Sequence, residues 1–240
     1  MRLKSDSWLL TKPIAHRGLW GENIIENSLS AYQNAINNGY PIEIDLYSSI
    51  DGKLFSFHDQ DLARMTGAKG KIYDKTAKQL SALFLSGSKE KIPTFDEVLS
   101  LANGKVPLLI ELKDQPNSEY VDKVIDRLKS YKGEFAIQSF NPLYIKRVKK
   151  LAPNVLRGIL STKTYSKGLP FIRRQVVKYM LLNSVIKPDF ISYSFEDLPL
   201  KKCMVKNLPV ITWTITSEKD YNKVKPFAKN IIFENFIPTK

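Results

Sequence analysis

The chain carries only two histidines, His16 and His58, and each stands beside a charged residue, in His16-Arg17-Gly18 and Phe57-His58-Asp59. Imidazole titrates near neutrality, so a pair of them can act as base and acid in one displacement. A lone histidine is more often structural or merely exposed. Arg17 adds a planar fork that fits two phosphate oxygens, where a lysine would offer only a point charge. Gly18 lets the backbone pass close by.

The segment Pro41–Leu46 reads Pro-Ile-Glu-Ile-Asp-Leu. Side chains alternate along a strand, so Glu43 and Asp45 share one face and Ile42, Ile44 and Leu46 the other. Neighbouring carboxylates repel unless a cation sits between them, and all-oxygen ligation suits Mg²⁺ or Ca²⁺ rather than zinc. An exposed strand face would leave the same pattern. Ile110-Glu111-Leu112-Lys113 repeats the design. Glu111 could add a third metal carboxylate and Lys113 could hold a phosphate oxygen, while a simple cross-strand ion pair remains open.

These residues need elements to position them. Short strand-like runs occupy Pro13–Gly18, Pro41–Ser48, Leu54–His58, Pro107–Lys113, Glu134–Phe140, Val155–Ser161, Asp189–Phe195, Val210–Ile215 and Ile231–Glu234. Helical patterns lie over Ser28–Asn37, Thr94–Ala102, Tyr120–Tyr131, Pro142–Leu151, Leu169–Ile186 and Glu218–Phe227. Asn38-Gly39, Asn103-Gly104 and Lys132-Gly133 follow three of them as stop signals. The alternation predicts an α/β fold with a largely parallel sheet, an irregular (β/α)₈ TIM barrel. Both histidines are then expected at strand C-termini, the edge where such barrels build their sites. The irregularity falls at Asp51-Gly52, a hairpin signal that leaves no room for a crossover helix. Whether the strand after it joins the barrel or forms an extra ribbon stays open.

The 240 residues are 43% apolar, 11% aromatic and 25% charged, which supports one globular domain spanning residues 1–240. No apolar run reaches the length of a membrane span, and Met1–Leu10 lacks a secretory core. The single Cys203 rules out an internal disulfide and suits a cytoplasmic location. The formal charge of +13 is uneven: residues 135–188 hold eleven Lys and Arg and no Asp or Glu. Such a block attracts anionic surfaces. Ile172, Val176, Val177, Met180 and Leu181 form an apolar stripe opposite Arg173, Arg174 and Lys178, as on an interfacial helix, though an outer barrel helix reads the same. A nucleic-acid binder is disfavoured, because no such motif is present and both histidines would go unexplained.

In order, the motifs are Ala15-His16-Arg17-Gly18, Glu26-Asn27-Ser28, Glu43-Ile44-Asp45, Asp51-Gly52, His58-Asp59, Leu62 with Arg64, Thr66 and Gly67, Ile92-Pro93-Thr94 with Glu97-Val98-Leu99, Glu111 with Lys113, Ser139-Phe140, and Trp213. Together they resemble the glycerophosphodiester phosphodiesterase family along nearly the whole chain. The resemblance implies His16 and His58 as the acid–base pair and Glu43, Asp45 and Glu111 as ligands of one divalent cation, Mg²⁺ or Ca²⁺. It implies that Arg17 and Lys113 bind phosphate, that Glu26 sits in or just behind the metal shell, and that Trp213 lines the substrate pocket. The implied substrate is a small glycerophosphodiester, cleaved to glycerol 3-phosphate and an alcohol. A lysophospholipase D-like enzyme, or a hydrolase of glycerol-phosphate polymers working at anionic surfaces, is the alternative, with weak attachment to anionic membranes. Ile25 and Ser28 replace the family's Pro and Thr. Thr214-Ile215-Thr216 and Ile231-Ile232-Phe233-Glu234-Asn235 also depart from it, at the mouth.

Overall fold

A computed structural model of the chain describes residues 3–164 and 171–239. Nine strands form one sheet: β1 (Ile14–Ala15), β2 (Ile42–Ser48), β3 (Leu54–Ser56), β4 (Leu108–Leu112), β5 (Phe135–Ser139), β6 (Leu156–Ser161), β7 (Phe190–Ser194), β8 (Val210–Ile215) and β9 (Asn230–Phe233). Their order is β1-β9-β8-β7-β6-β5-β4-β2-β3, and a further pairing of β1 with β2 closes eight parallel strands into a barrel. The ninth, β3, is the extra ribbon. It runs antiparallel to the upper half of β2, with Leu46 opposite Ser56 and Ser48 opposite Leu54.

Alternation sorts each strand into an inner and an outer face. Ile42, Ile44, Leu46, Leu108, Ile110, Leu112 and Ile137 pack outward under helices such as Leu29–Asn37, Phe95–Ala102 and Tyr120–Leu128. Ile14, Leu109, Ala136, Phe190, Ile211 and Ile232 pack inward. Gly158 on β6 makes room for Phe190, whose ring would lie 2.2 Å from any Cβ there. Below them Trp8 and Leu9, on the short helix Trp8–Thr11, plug the bottom of the barrel. Burying a side chain such as Leu9 contributes roughly 1.5–3 kcal/mol. Asn230 pins the plug by donating to the carbonyls of Leu9 (2.9 Å) and Lys12 (2.7 Å).

All nine expected strands form. Three helices differ from expectation, the one from Glu218 simply by ending at Val224 rather than Phe227. The third stop signal fails: the helix from Tyr120 ends at Leu128, and Gly133 instead packs against the Tyr131 ring. The helix expected over Leu169–Ile186 is broken into Phe171–Lys178 and Asn183–Ile186, with Met180 left-handed between them at φ +50° (residues 169 and 170 lie outside the described residues). Its apolar stripe divides accordingly. Val177 and Met180 are buried, Met180 against Ile145, Ile159 and Ile191, whereas Ile172 and Leu181 are 77% and 60% exposed.

Candidate active site

The upper inner face of the barrel replaces hydrocarbon with polar groups. Parallel registers staggered around a barrel put inward residues of alternate strands in layers of four. Above the apolar floor come Glu43, Gln138, Ser192 and Ile232, then His16, Glu111, Leu160 and Trp213, then Asp45, Phe140, Ser194 and Glu234.

Glu43, Asp45 and Glu111 meet here, each at most 7% exposed, with one carboxylate oxygen from each within 4.8 Å of the others. Lys113 Nζ reaches Asp45 Oδ1 (3.2 Å) and Glu111 Oε1 (2.9 Å). Glu43 has less help: the Arg17 backbone N–H donates to its Oε2 at 3.1 Å. Burial, with Asp45 and Glu111 adding repulsion, pushes the Glu43 carboxyl well above its usual range. Burial also works against ionised Asp45, yet Lys113, His58, Arg17 and the Asn27 amide outweigh it and hold Asp45 low. Lys113, though buried, is held charged by Asp45 and Glu111. The donor set is all oxygen, which fits a hard divalent cation. Such a cation placed among the three carboxylates would relieve their mutual repulsion.

His16 follows β1, its N–H still bonded to the Phe233 carbonyl of β9 at 2.9 Å. Its Nδ1 lies 2.5 Å from Glu234 Oε2, and the pair is nearly buried. Burial, chiefly, lowers the proton affinity of this ring, against the pull of Glu234. Arg17 and Gly18 then turn through left-handed backbone at φ +55° and +85°. A Cβ at Gly18 would sit 2.8 Å from the Ala31 backbone, so the turn fits only glycine. The turn sends the Arg17 guanidinium back to Glu26 (2.9 Å) and toward Asp45 (3.6 Å). Glu26 also accepts from Arg64 at 2.6 and 3.2 Å. It is thus not a member of the carboxylate cluster but stands behind Arg17.

His58 arrives on the extra ribbon, the second of the two alternatives the sequence left open. It does not end a barrel strand. It follows β3, which descends from the hairpin onto the mouth, where the Phe57 N–H meets the Asp45 carbonyl at 3.0 Å. Residues 57–92 beyond it carry their own small core of Phe57, Leu62, Ile72, Leu80, Leu85 and Ile92. His58 Nδ1 lies 2.7 Å from Asp59, which Arg64 also binds. Those bonds hold the Asp59 carboxyl low despite its partial burial.

A cavity of about 90 Å³ is lined by His16, Arg17, Glu43, His58, Glu111, Lys113, Gln138, Phe140, Leu160, Trp213, Thr214 and Ile232. Seven of the nine residues singled out in the sequence therefore share one pocket, with Asp45 bonded to it through Lys113 and Glu26 behind it. Phe140 and Trp213 meet edge to face, ring centres 5.6 Å apart, as its apolar wall. Beside it a groove of about 750 Å³ opens between Gln60, Asp114, Asn141, Tyr73 and Arg147. Glu234, Asp59 and Arg64 were not assigned roles from sequence. Six carboxylates (Glu26, Glu43, Asp45, Asp59, Glu111, Glu234) thus face three permanent cations (Arg17, Arg64, Lys113) in a chain of formal charge +13. No helix among the described residues is long and apolar enough to cross a membrane.

Comparison with known proteins agrees with this fold. The Glycerophosphoryl diester phosphodiesterase family matches residues 16–239. A glycerophosphodiester phosphodiesterase of Caldanaerobacter subterraneus subsp. tengcongensis is 30% identical over 230 residues, 89% of each chain. A glycerophosphodiester phosphodiesterase of Parabacteroides distasonis superposes with a TM-score of 0.74 at 25% identity, over 93% of this chain and 92% of that one. A phosphodiesterase of Oleispira antarctica, solved with its product sn-glycerol-3-phosphate, shares the fold at TM-score 0.79 and 23% identity, over 93% and 92% of the two chains. The chain belongs to the glycerophosphodiester phosphodiesterase family of phosphoric diester hydrolases.

Proposed function

We propose that the protein hydrolyses small glycerophosphodiesters to glycerol 3-phosphate and an alcohol, using His16 and His58 for proton transfer and one divalent cation held by Glu43, Asp45 and Glu111. The observation that carries this reading is the buried carboxylate cluster opening into the same pocket as both histidines, Arg17 and Lys113. Three carboxylates gathered within 4.8 Å of one another would repel an anionic phosphodiester, so a divalent ion suits them. The ion would supply a Lewis acid against a phosphate oxygen.

The chain's own groups do the rest. Arg17 and Lys113 neutralise the charge that grows on the phosphoryl oxygens. His16, whose proton affinity burial lowers and whose Nδ1 is held by Glu234, presents Nε2 as the base that takes a proton from the attacking water, whose oxygen bonds to phosphorus as the bond to the alcohol oxygen breaks. His58, held at Nδ1 by Asp59, protonates the leaving alkoxide. Each transfer is worth roughly 10²–10⁴-fold. The groove past Gln60 and Asn141 gives the alcohol a way out. The test is product analysis over glycerophosphodiesters and lysolipids, with and without chelator. Glycerol 3-phosphate formed only with metal is the expected result, and full turnover with metal demonstrably removed would refute the cation's part.

A second reading, attachment to anionic lipid surfaces, is favoured by Phe171, Ile172 and Leu181. They are 66%, 77% and 60% exposed beside Arg174 and Lys178, in a stretch without acidic residues. Apolar insertion next to cations is what weak, salt-sensitive binding to an anionic leaflet needs.

A further inference from the structure

None of Leu62, Arg64, Thr66 and Gly67 lines the catalytic pocket, although the sequence sets them out as one motif. They form a single helical turn, Ala63–Thr66, closed by Gly67 in left-handed backbone at φ +70°. Leu62 roots the turn in the small core of residues 57–92, and Asp61 Oδ1 caps it by accepting from the Ala63 N–H at 2.8 Å. The turn leaves Arg64 standing between two carboxylates. Its Nε and Nη2 donate to the two oxygens of Asp59, at 2.5 and 3.0 Å. Its Nη2 and Nη1 donate to the two oxygens of Glu26, at 2.6 and 3.2 Å.

These bonds join two parts of the chain. Glu26, in the segment after β1, also accepts from Arg17 Nη1 at 2.9 Å. Asp59, in the 57–92 segment, holds His58 Nδ1 at 2.7 Å. A continuous row therefore runs from Arg17 through Glu26, Arg64 and Asp59 to the His58 ring. The Arg64 side chain is 49% exposed, and an ion pair that open to water contributes little to stability. What a planar guanidinium adds is direction, because its fork fixes two carboxylates where a point charge fixes neither. Without it Asp59 and Glu26 would meet as like charges, and Asp59 would be free to swing with the imidazole it holds. A proton donor must stay within hydrogen-bond reach of its acceptor, so a displacement of about 1 Å is enough to cost most of its effect.

We propose that Arg64 is a positioning residue for the leaving-group acid: it ties Asp59 to Glu26 and thereby holds the His58 ring, carried outside the barrel wall, in register with the phosphate held by the barrel. The proposal rests on the assignment of His58 as that acid and deepens it, by naming what aims the ring. The role is visible only when the leaving group needs a proton. As the bond from phosphorus to an alkyl alcohol breaks, the electron pair stays on the alcohol oxygen and His58 supplies the proton. A p-nitrophenolate leaves with the same pair delocalised into its ring and takes no proton.

The test compares glycerophosphocholine with the p-nitrophenyl ester of glycerol 3-phosphate, on the metal-loaded protein. Arg64→Ala is expected to lower kcat on glycerophosphocholine by roughly ten- to a hundredfold, while the aryl ester loses no more than about threefold. Guanidinium chloride, far below the concentration that unfolds the protein, is expected to restore the choline ester severalfold, because a half-exposed site admits the ion. Arg64→Lys keeps the charge without the fork and is expected to recover only part of the loss. His58→Ala, which removes the acid outright, is expected to shift the ratio of the two rates in the same direction and further. An Arg64→Ala protein that slows both esters alike, or neither, would overturn the proposal. So would no response to guanidinium, or full recovery in Arg64→Lys. A ratio that stays put in His58→Ala as well strikes the acid assignment beneath the proposal, and a wild type inactive on both esters strikes the phosphodiesterase reading itself. The three failures are therefore distinct.

Discussion

Removing Glu234 gives a direct reading of how the site makes a base. Its Oε2 lies 2.5 Å from His16 Nδ1, and burial has otherwise lowered the proton affinity of the ring below its ordinary value of about 6.5. The carboxylate does two things. It keeps the proton on Nδ1 so that Nε2 faces the pocket, and it stabilises the ring once protonated. Glu234→Ala removes both, and a base in the wrong tautomer or orientation costs most of the general-base contribution, roughly 10²-fold or more in kcat, about 2.7 kcal/mol. Glu234→Gln keeps an acceptor for Nδ1–H but no charge, so roughly tenfold is expected, about 1.4 kcal/mol. The pH profile separates a positioning role from a structural one. Glu234 raises the proton affinity of His16, so its loss lowers that affinity further and the acid limb of kcat/KM moves to lower pH. The assay is steady-state turnover of glycerophosphocholine from pH 4.5 to 8 at saturating metal, with melting curves to verify folding. An unmoved limb with unchanged kcat, or a limb that moves upward, would refute the reasoning.

His16→Ala and His58→Ala are each expected to abolish turnover with melting temperatures close to wild type, because neither side chain packs in the apolar core; near wild-type kcat in either variant removes its proton-transfer role. Gly18→Ala forces a side chain into φ +85° against the Ala31 backbone, so a loss of about 1–2 kcal/mol from backbone strain is expected, and more from overlap, read by denaturant titration. Co-sedimentation with vesicles should detect pelleting on anionic and not neutral lipid at low salt, reduced in Ile172→Ser/Leu181→Ser; equal pelleting on both lipids contradicts the surface reading.

The barrel could be read from sequence because each strand's outer face is aliphatic, as in Ile42-Glu43-Ile44-Asp45-Leu46, and that alternation survives even where the inner face turns polar. Its charged groups were readable for the same reason: a carboxylate flanked by isoleucines on a buried strand has few other uses. What escaped is what two distant segments decide together. His16 and Glu234 are 218 residues apart, and Glu26 and Arg64 are 38, with no local periodicity to link them. The break at Met180 escaped because Val176, Val177, Met180 and Leu181 satisfy helical spacing, while only the packing of Met180 against Ile145 and Ile191 fixes its left-handed backbone. The route of His58 was left between two alternatives because Asp51-Gly52 announces a hairpin but not the slot beside β2 into which the returning strand descends.

The barrel closes where its first strand meets its last, and His16 and Glu234 meet at that seam. A chain emerging from the ribosome carries both histidines, the carboxylates and every other wall of the pocket before it carries the partner of His16. Until residue 234 is in place the imidazole has no carboxylate to orient it, and β1 has no neighbour on that side. The seam therefore behaves as a clasp: the base is oriented only in the fully assembled barrel, so an incomplete or C-terminally clipped chain cannot hold His16 as the intact protein does. Activity assayed during synthesis or limited proteolysis would accordingly track the docking of the last strand rather than the formation of the core.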